Sequence, residues 1–430
     1  MRSNFPGARV SRNVLAALVK YRPIPGELSP NLRRFNVGHG ESLALEDLPF
    51  LQCLLGPSIS VVDIYVAAAD DHICGLLWSM SRTSPYLHEI SIISHEEDIN
   101  PENALALSGL LLSLTEIEII QVMDMPLPAR AVVDHLGTLS SLRFWEYLAF
   151  PPSPDIHSFT TRGGRFSNLC HFGFSIMDLM TAAAVVESMA CPFEHLNIRI
   201  CQSRPWVMTE TVRSLRRMTE VLSRHQSWAS LSRLGLRVMP DMVADGDSVH
   251  AALRPLFRLN GIRHLTLYLS IFNKVGDSWL DEASQSWPHL EILRVALPYR
   301  PIAQQYQSEE SLRPTMTLAG LIPMLRRCPN LRNLDISLVA KPLDLSLLSG
   351  ISSSNTIYQV CFPASAIESP SEVFDCIVLM FPHLRRFKGF SYRWGSDDSA
   401  AWRDLSLLIL DIPGYAGYTG HAGSQWESWV

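Results

Sequence analysis

The chain has 430 residues, 47% hydrophobic and 18% charged, with 36 basic against 42 acidic side chains for a net charge of −6. This composition supports a large buried core and excludes a disordered chain. It also lacks the positive field of a protein held by phosphate backbones, so nucleic acid is not expected as a partner.

The N-terminal stretch MRSNFPGARVSRNVLAALVKYRP has an apolar core, VLAALV, too short for a secretion signal. Residues 1–27 are read as an N-terminal segment or cap. The longest apolar runs, such as ALALSGLLLSL, fall short of a membrane span, so no membrane partner is expected. Eight scattered cysteines and the absence of any Asn-x-Ser/Thr acceptor point to a reduced compartment, cytoplasmic or nuclear.

From residue 28 a pattern of apolar-x-x-apolar-x-apolar recurs. Its first apolar residue falls at Leu32, Ile59, Leu87, Leu114, Leu142, Leu169, Phe193, Leu231, Ile262, Leu290, Leu331, Ile357 and Leu384. Eight of the twelve steps between these anchors are 26 to 28 residues, a period in the range of leucine-rich repeats. Each anchor opens a short strand whose alternate residues face the core. The segments between read as helices: Asn100–Pro101 and Ser278-x-x-Asp281 open two, and Ser369, Pro370 and Glu372 open a third as a capping box.

Pro30, Pro85, Pro192, Pro288, Pro329 and Pro382 stand just before the next strand. Proline disfavours helix at the residue preceding it, so these positions are expected to end the helices. Strand, crossover helix and parallel strand, repeated, give an α/β leucine-rich-repeat solenoid, a horseshoe with a parallel inner sheet, outer helices and degenerate repeats. One continuous solenoid is expected over residues 28–400.

Two long steps mark insertions. MTETVRSLRRMTEVLSRHQSW reads as a lengthened helix, and PYRPIAQQYQSEESLRPTM as a polar loop. The Gly- and Ser-rich end, residues 401–430, is expected to be a poorly ordered tail.

Phosphate-loop, nucleophile-elbow and zinc-helix motifs are absent, so no enzyme activity and no cofactor is expected. The spacing of Cys191, His195 and Cys201 suggests a metal, but a strand between them would separate the two sulfurs by roughly 30 Å, so no metal site is expected.

The stretches SWPHLEILRVALPYRP, TLAGLIPMLRRCPNLRNLDI, LSPNLRRFNV, LGPSISVVDI and FPHLRRF resemble the leucine-rich-repeat region of F-box proteins of mushroom-forming fungi. The likeness covers roughly residues 28–390. It implies repeats that hold a substrate protein, joined in that family to an N-terminal F-box that docks on the adaptor of a cullin-type ubiquitin ligase. Residues 1–30 show neither the Leu-Pro start nor the successive apolar helices of an F-box. The ligase adaptor is therefore expected as a partner only where an F-box lies upstream. The Asn or Cys that the repeats should carry eight residues after each anchor occurs only as Cys201, and irregular strands should follow.

Two function classes follow, with an enzyme built on a dispersed site third: the substrate-recognition part of an F-box-type ubiquitin ligase receptor, and a free-standing repeat scaffold without ligase function. Either would bind a protein on the concave face. Taken at alternate positions after each anchor, that face would carry Asp63, Glu89, Glu116, Glu118 and Glu146 in the earlier repeats and Arg199, Arg233, Arg237 and Arg294 in the later ones. An acidic half and a basic half are expected to select a partner with the opposite arrangement.

Overall fold

The structure is a computed structural model. It describes residues 17, 20, 29–37, 48–66, 73–94, 101–123, 130–148, 166–176, 178–201, 208–238, 246–269, 274–296, 313–349, 351, 356–363, 365–390 and 397–410. Two compact units are present: residues 1–177 with 184–193, and residues 178–183 with 194–430.

In unit one, strands β1 (Arg34–Val37), β2 (Val61–Val66), β3 (Glu89–Ser94), β4 (Ile119–Met123), β5 (Phe144–Leu148) and β6 (His171–Ile176) pair in chain order, every pair parallel. The crossovers carry helices α1 (Leu48–Leu54), α2 (Ile73–Thr83), α3 (Pro101–Ser113) and α4 (Arg130–Leu136). Alternation decides which side is covered. Val62, Ile64, Ile90, Ile92, Ile120 and Val122 are buried, as are Leu76, Leu77, Met80, Leu107 and Leu110 of the helices, each worth about 1.5–3 kcal/mol. At one end of the sheet the core turns aromatic: the Trp145 ring lies 5.3 Å from Phe166 and 5.5 Å from Phe172.

Helix α5 (Leu179–Ser188) has residues in both units. In unit two, strands β7 (His195–Ile200), β8 (Arg233–Val238), β9 (His264–Leu269), β10 (Ile292–Ala296) and β11 (Asn333–Ile336) pair parallel in order. The ladder then skips the short β12 (Val339–Ala340) to reach β13 (Gln359–Pro363), and skips β14 (Ala366–Ile367) to reach β15 (Arg386–Phe390). The two skipped strands pair with each other. Helices α6 (Met208–Arg224), α7 (Gly246–Leu253), α8 (Asp277–Ser286), α9 (Leu318–Arg327), α10 (Pro370–Met380) and α11 (Asp397–Leu410) complete the unit.

A turn centred on proline recurs at the junction between helix and strand. Helices α8, α9 and α10 end on Trp287, Cys328 and Phe381, whose ψ of 64° to 73° leaves the helical region, as a following proline requires. Each is buried and closes a four-residue turn: the N–H of Leu290, Leu331 and Leu384 donates to the carbonyl of Trp287, Cys328 and Phe381 at 3.0 to 3.1 Å. Proline is the second residue of these turns, where its fixed φ is favourable. Ser29–Leu32 and Gly56–Ile59 close the same way around Pro30 and Pro57. Pro192 departs from this turn, since Phe193 bonds back to Cys191.

The next carbonyl of each repeat then receives two consecutive N–H groups from the repeat that follows. Ser60 O takes His88 and Glu89, Glu118 O takes Arg143 and Phe144, and Arg263 O takes Glu291 and Ile292. Strands therefore start in register. The two-residue β12 and β14, paired apart from the main ladder, are irregular, while hydroxyls and an amide near the turn supply further bonds between repeats. Ser58, Asn168 and Thr356 each donate to a carbonyl 27 or 28 residues earlier.

Other expectations need correction. The fourth anchor is Ile117, not Leu114: α3 ends at Ser113, and Leu114 is the buried residue that follows it, the counterpart of Trp287 and Cys328. A bulky residue at this place reproduces the anchor spacing one turn early. Ser369 does precede α10, but at φ 50° and without a side-chain cap bond, so the capping box does not form. Helix α8 is preceded by Gly276 rather than capped by Ser278. Residues 397–410 form α11, with Trp402 buried, where part of a loose tail was expected; the rest of that tail lies outside the described residues. The lengthened helix is α6 with a following 3-10 turn at Gln226–Ala229, and most of the polar loop is outside the described residues.

The open sheet faces as candidate binding surfaces

Residues that alternate with the core leave each sheet with an open face. In unit one the pairing aligns a middle row of Asn36, Asp63, Ser91, Gln121, Glu146 and Gly173. Side chains along it couple in pairs. Asn36 Nδ2 donates to Asp63 Oδ2 at 3.4 Å, and Gln121 Nε2 to Glu146 Oε2 at 3.1 Å. Glu146 lies over the next strand, where only glycine leaves it room: a Cβ at Gly173 would sit 2.9 Å from Glu146 Cγ. That packing leaves the Glu146 side chain buried. Beside this row, Arg34, Val61, Glu89, Ile119, Phe144 and His171 align, and the Phe144 and His171 rings stack at 3.8 Å.

The structure thus brings Asp63, Glu89 and Glu146 to one face. Glu116 and Glu118 do not join them. With Ile117 as the anchor, Glu116 sits in the turn, 3.9 Å from His88, and Glu118 precedes β4. The open-face residues of β4 are Ile119, Gln121 and Met123.

In unit two the middle row is Asn197, Gly235, Thr266, Arg294, Asp335, Cys361 and Lys388. One flanking row aligns His195, Arg233, His264, Ile292, Asn333, Gln359 and Arg386; the other aligns Arg199, Arg237, Tyr268 and Ala296. Arg199, Arg233, Arg237 and Arg294 all lie at open-face positions, and Lys388 and Arg386 extend the basic character. Burial holds the pKa of His195 and His264 below the ordinary imidazole value, with the Arg233 charge adding to the effect. Both rings are therefore neutral at pH 7.

Asp335 was missed. It is 8% exposed, lies between Arg294 and Cys361, and accepts the Tyr268 hydroxyl on Oδ2 at 3.3 Å. The Arg237 guanidinium stands 5.2 Å over the Tyr268 ring. Burial pushes the Asp335 carboxyl up to about 6, against the opposing pull of Arg294, Tyr268 and Lys388. Burial likewise raises the Cys361 thiol, which is neutral, and lowers Lys388 from its ordinary value. The position was readable four residues after the anchor Leu331, but as an isolated acid in a basic stretch it belonged to no pattern.

Among the described residues no group of three or more His, Cys, Asp or Glu could hold a metal ion, and no helix is long and apolar enough to cross a membrane. The faces offer charge, ring stacking and hydrogen bonds over a broad sheet, which suits recognition of an extended surface.

No family model and no curated protein matches the sequence. Among solved structures, the chain is similar to one from the yeast Rad7 and Elc1 complex, with 12% identity over 95% of this chain and 88% of that one, at a TM-score of 0.50. It is also similar to an internalin, inlF, of Listeria monocytogenes, with 10% identity over 90% and 95% and a TM-score of 0.41. A chain of the TLR13–ssRNA13 complex gives 12% identity over 88% and 49% with a TM-score of 0.33. The parallel sheet, its crossover helices and the first of these likenesses together define the fold: an α/β leucine-rich-repeat solenoid.

Proposed function

We propose that the chain is a protein-recognition module, the substrate-binding part of an F-box-type ubiquitin ligase receptor, and that its open sheet faces take the partner. The observation that carries this reading is the segregation of charge by unit. Asp63 and Glu89 stand half-buried on the face of unit one, with Glu146 buried among them and one cation, Arg34, at the edge; Arg199, Arg233, Arg237, Arg294, Lys388 and Arg386 stand on that of unit two, with the buried Asp335 among them. A basic segment complements the first face and an acidic segment the second. Half-buried apolar and aromatic residues among the charges, Tyr65, Ile93, Ile119, Phe144 and Tyr268, supply the desolvated contacts that charge alone does not.

The test is affinity capture by the full chain. Conversion of Arg233, Arg237 and Arg294 to Glu should abolish capture of the principal partner and leave the circular dichroism spectrum unchanged. The same reversal at Arg216, Arg254 and Arg258, outside the sheet, should leave capture intact. Partner capture by the sheet triple variant that is unchanged and independent of salt overturns the proposal. Recovery of a ligase adaptor and cullin with the chain supports the receptor role.

A further inference from the structure

Asp335 is the only carboxylate at a strand position of unit two among the described residues, and it sits within the basic row. The groups facing it come from every neighbouring strand: Arg294 from β10, Cys361 from β13, Lys388 from β15 and Tyr268 from β9. Its two oxygens differ. Oδ2 takes the Tyr268 hydroxyl, whereas Oδ1 is buried and has no hydrogen-bond partner. A proton arriving at Oδ1 therefore displaces no donor. The thiol of Cys361 is neutral and does not compete for charge.

Resting on the reading of the open face as a recognition surface, we propose that Arg294 and Lys388 form a seat for an acidic side chain of the partner, and that Asp335 takes up one solvent proton at Oδ1 when the seat is filled. In the empty seat the Asp335 carboxylate shares the field of the two cations. An incoming aspartate or glutamate takes over that field and brings a like charge beside Asp335, which favours its protonated form. By linkage, protonation of Asp335 strengthens binding to the same degree. The burial that already holds Asp335 near the acid side of neutrality puts this exchange within reach of an ordinary change in pH. The preferred ligand is an acidic peptide segment.

The test uses the full chain and a dye-labelled peptide rich in aspartate, whose side chains stay ionised across the range studied, with binding read by fluorescence anisotropy. The wild type should bind about tenfold more tightly at about pH 5.5 than at about pH 7.5. Asp335→Asn, which keeps the shape and removes the titration, should bind equally at both and match the tighter limb. Arg294→Ala should weaken binding at both pH values. A wild-type affinity that does not change with pH overturns the proton uptake while leaving the basic face as an acid-binding surface. A slope that persists in Asp335→Asn assigns the proton to His195 or His264 and overturns it equally. Absence of peptide binding by every chain at both pH values removes the seat itself, and the reading of the basic face with it.

Discussion

Asp277, the first residue of α8, holds Thr317 just ahead of α9: its carboxylate accepts the Thr317 N–H and the Thr317 hydroxyl, each at 2.7 Å. The start of one outer helix is thus fixed by the helix of the preceding repeat, since Thr317 makes no cap bond with its own side chain. Gly320 presses directly on that carboxylate, and a Cβ there would overlap it. Asp277→Ala should lower the unfolding free energy by about 1–2 kcal/mol. Gly320→Ala should also destabilise, although alanine favours helix by about 1 kcal/mol over glycine. The double variant should be more stable than the sum of the two losses, a coupling that urea unfolding of all four chains measures.

Trp402 closes the end of unit two. Its ring is fully buried, 5.8 Å from Phe362 and 6.2 Å from Phe387, and its Nε1–H donates to Ser365 O at 2.8 Å. Trp402→Ala should cost about 3–5 kcal/mol. Trp402→Phe keeps most of the packing but strands the Ser365 carbonyl, so its loss should be smaller, about 1–3 kcal/mol. Guanidinium unfolding separates the two.

Asp335 makes stability depend on pH with an unusual sign for an acid. Its folded carboxyl binds a proton more tightly than the unfolded one, about 6 against 3.8. Between those values the folded state carries the extra proton, so the stabilisation is complete below the unfolded value and is lost as pH rises through about 6. The full swing is roughly 3 kcal/mol. Asp335→Asn should therefore be more stable than the wild type at neutral pH, with the difference shrinking towards about pH 4. His195 and His264, lowered by burial, act in the opposite direction but are common to both chains.

Thiol chemistry should sort by burial. Cys191, Cys328 and Cys361 are buried, and desolvation raises all three thiols, Cys328 to about 12. Little thiolate is available at neutral pH. Brief alkylation of the native chain should modify Cys170, Cys53 and Cys74, which are partly accessible, and spare those three. Mass spectrometry after proteolysis identifies the sites, and alkylation in denaturant should then reach all eight cysteines.

Much of the architecture was legible because its determinants are local. An anchor such as Leu331 and the alternation Leu334, Ile336 state a strand, and a proline after a bulky residue states the end of a helix. Leu114 shows where locality fails. Its steps of 27 and 28 residues fit the repeat better than the 30 and 25 of Ile117, and only the end of α3 at Ser113 decides against it. Glu116 and Glu118 were assigned to the open face through that one choice. The role of Asp335 lay beyond reach for another reason: its character comes from Arg294, Lys388 and Tyr268, each on a different strand. Helix α11 was hidden by the glycine-rich composition that follows it, although Trp402, Leu405 and Ile409 mark its buried side.

The interval between the buried residue at the helix end and the start of the following strand recurs at five junctions. It is the same from Ser84 to Glu89, from Leu114 to Ile119, from Trp287 to Ile292, from Cys328 to Asn333 and from Phe381 to Arg386. The turn and the doubly used carbonyl together act as a ruler, and nothing comparable measures the outer crossover. Over evolutionary time the chain can gain or lose residues between a strand and its next helix without disturbing the sheet, whereas one residue added inside the ruled interval would turn a core face outward. Related chains should accordingly differ in length from one repeat to the next and agree, residue for residue, in the short passage from helix to strand.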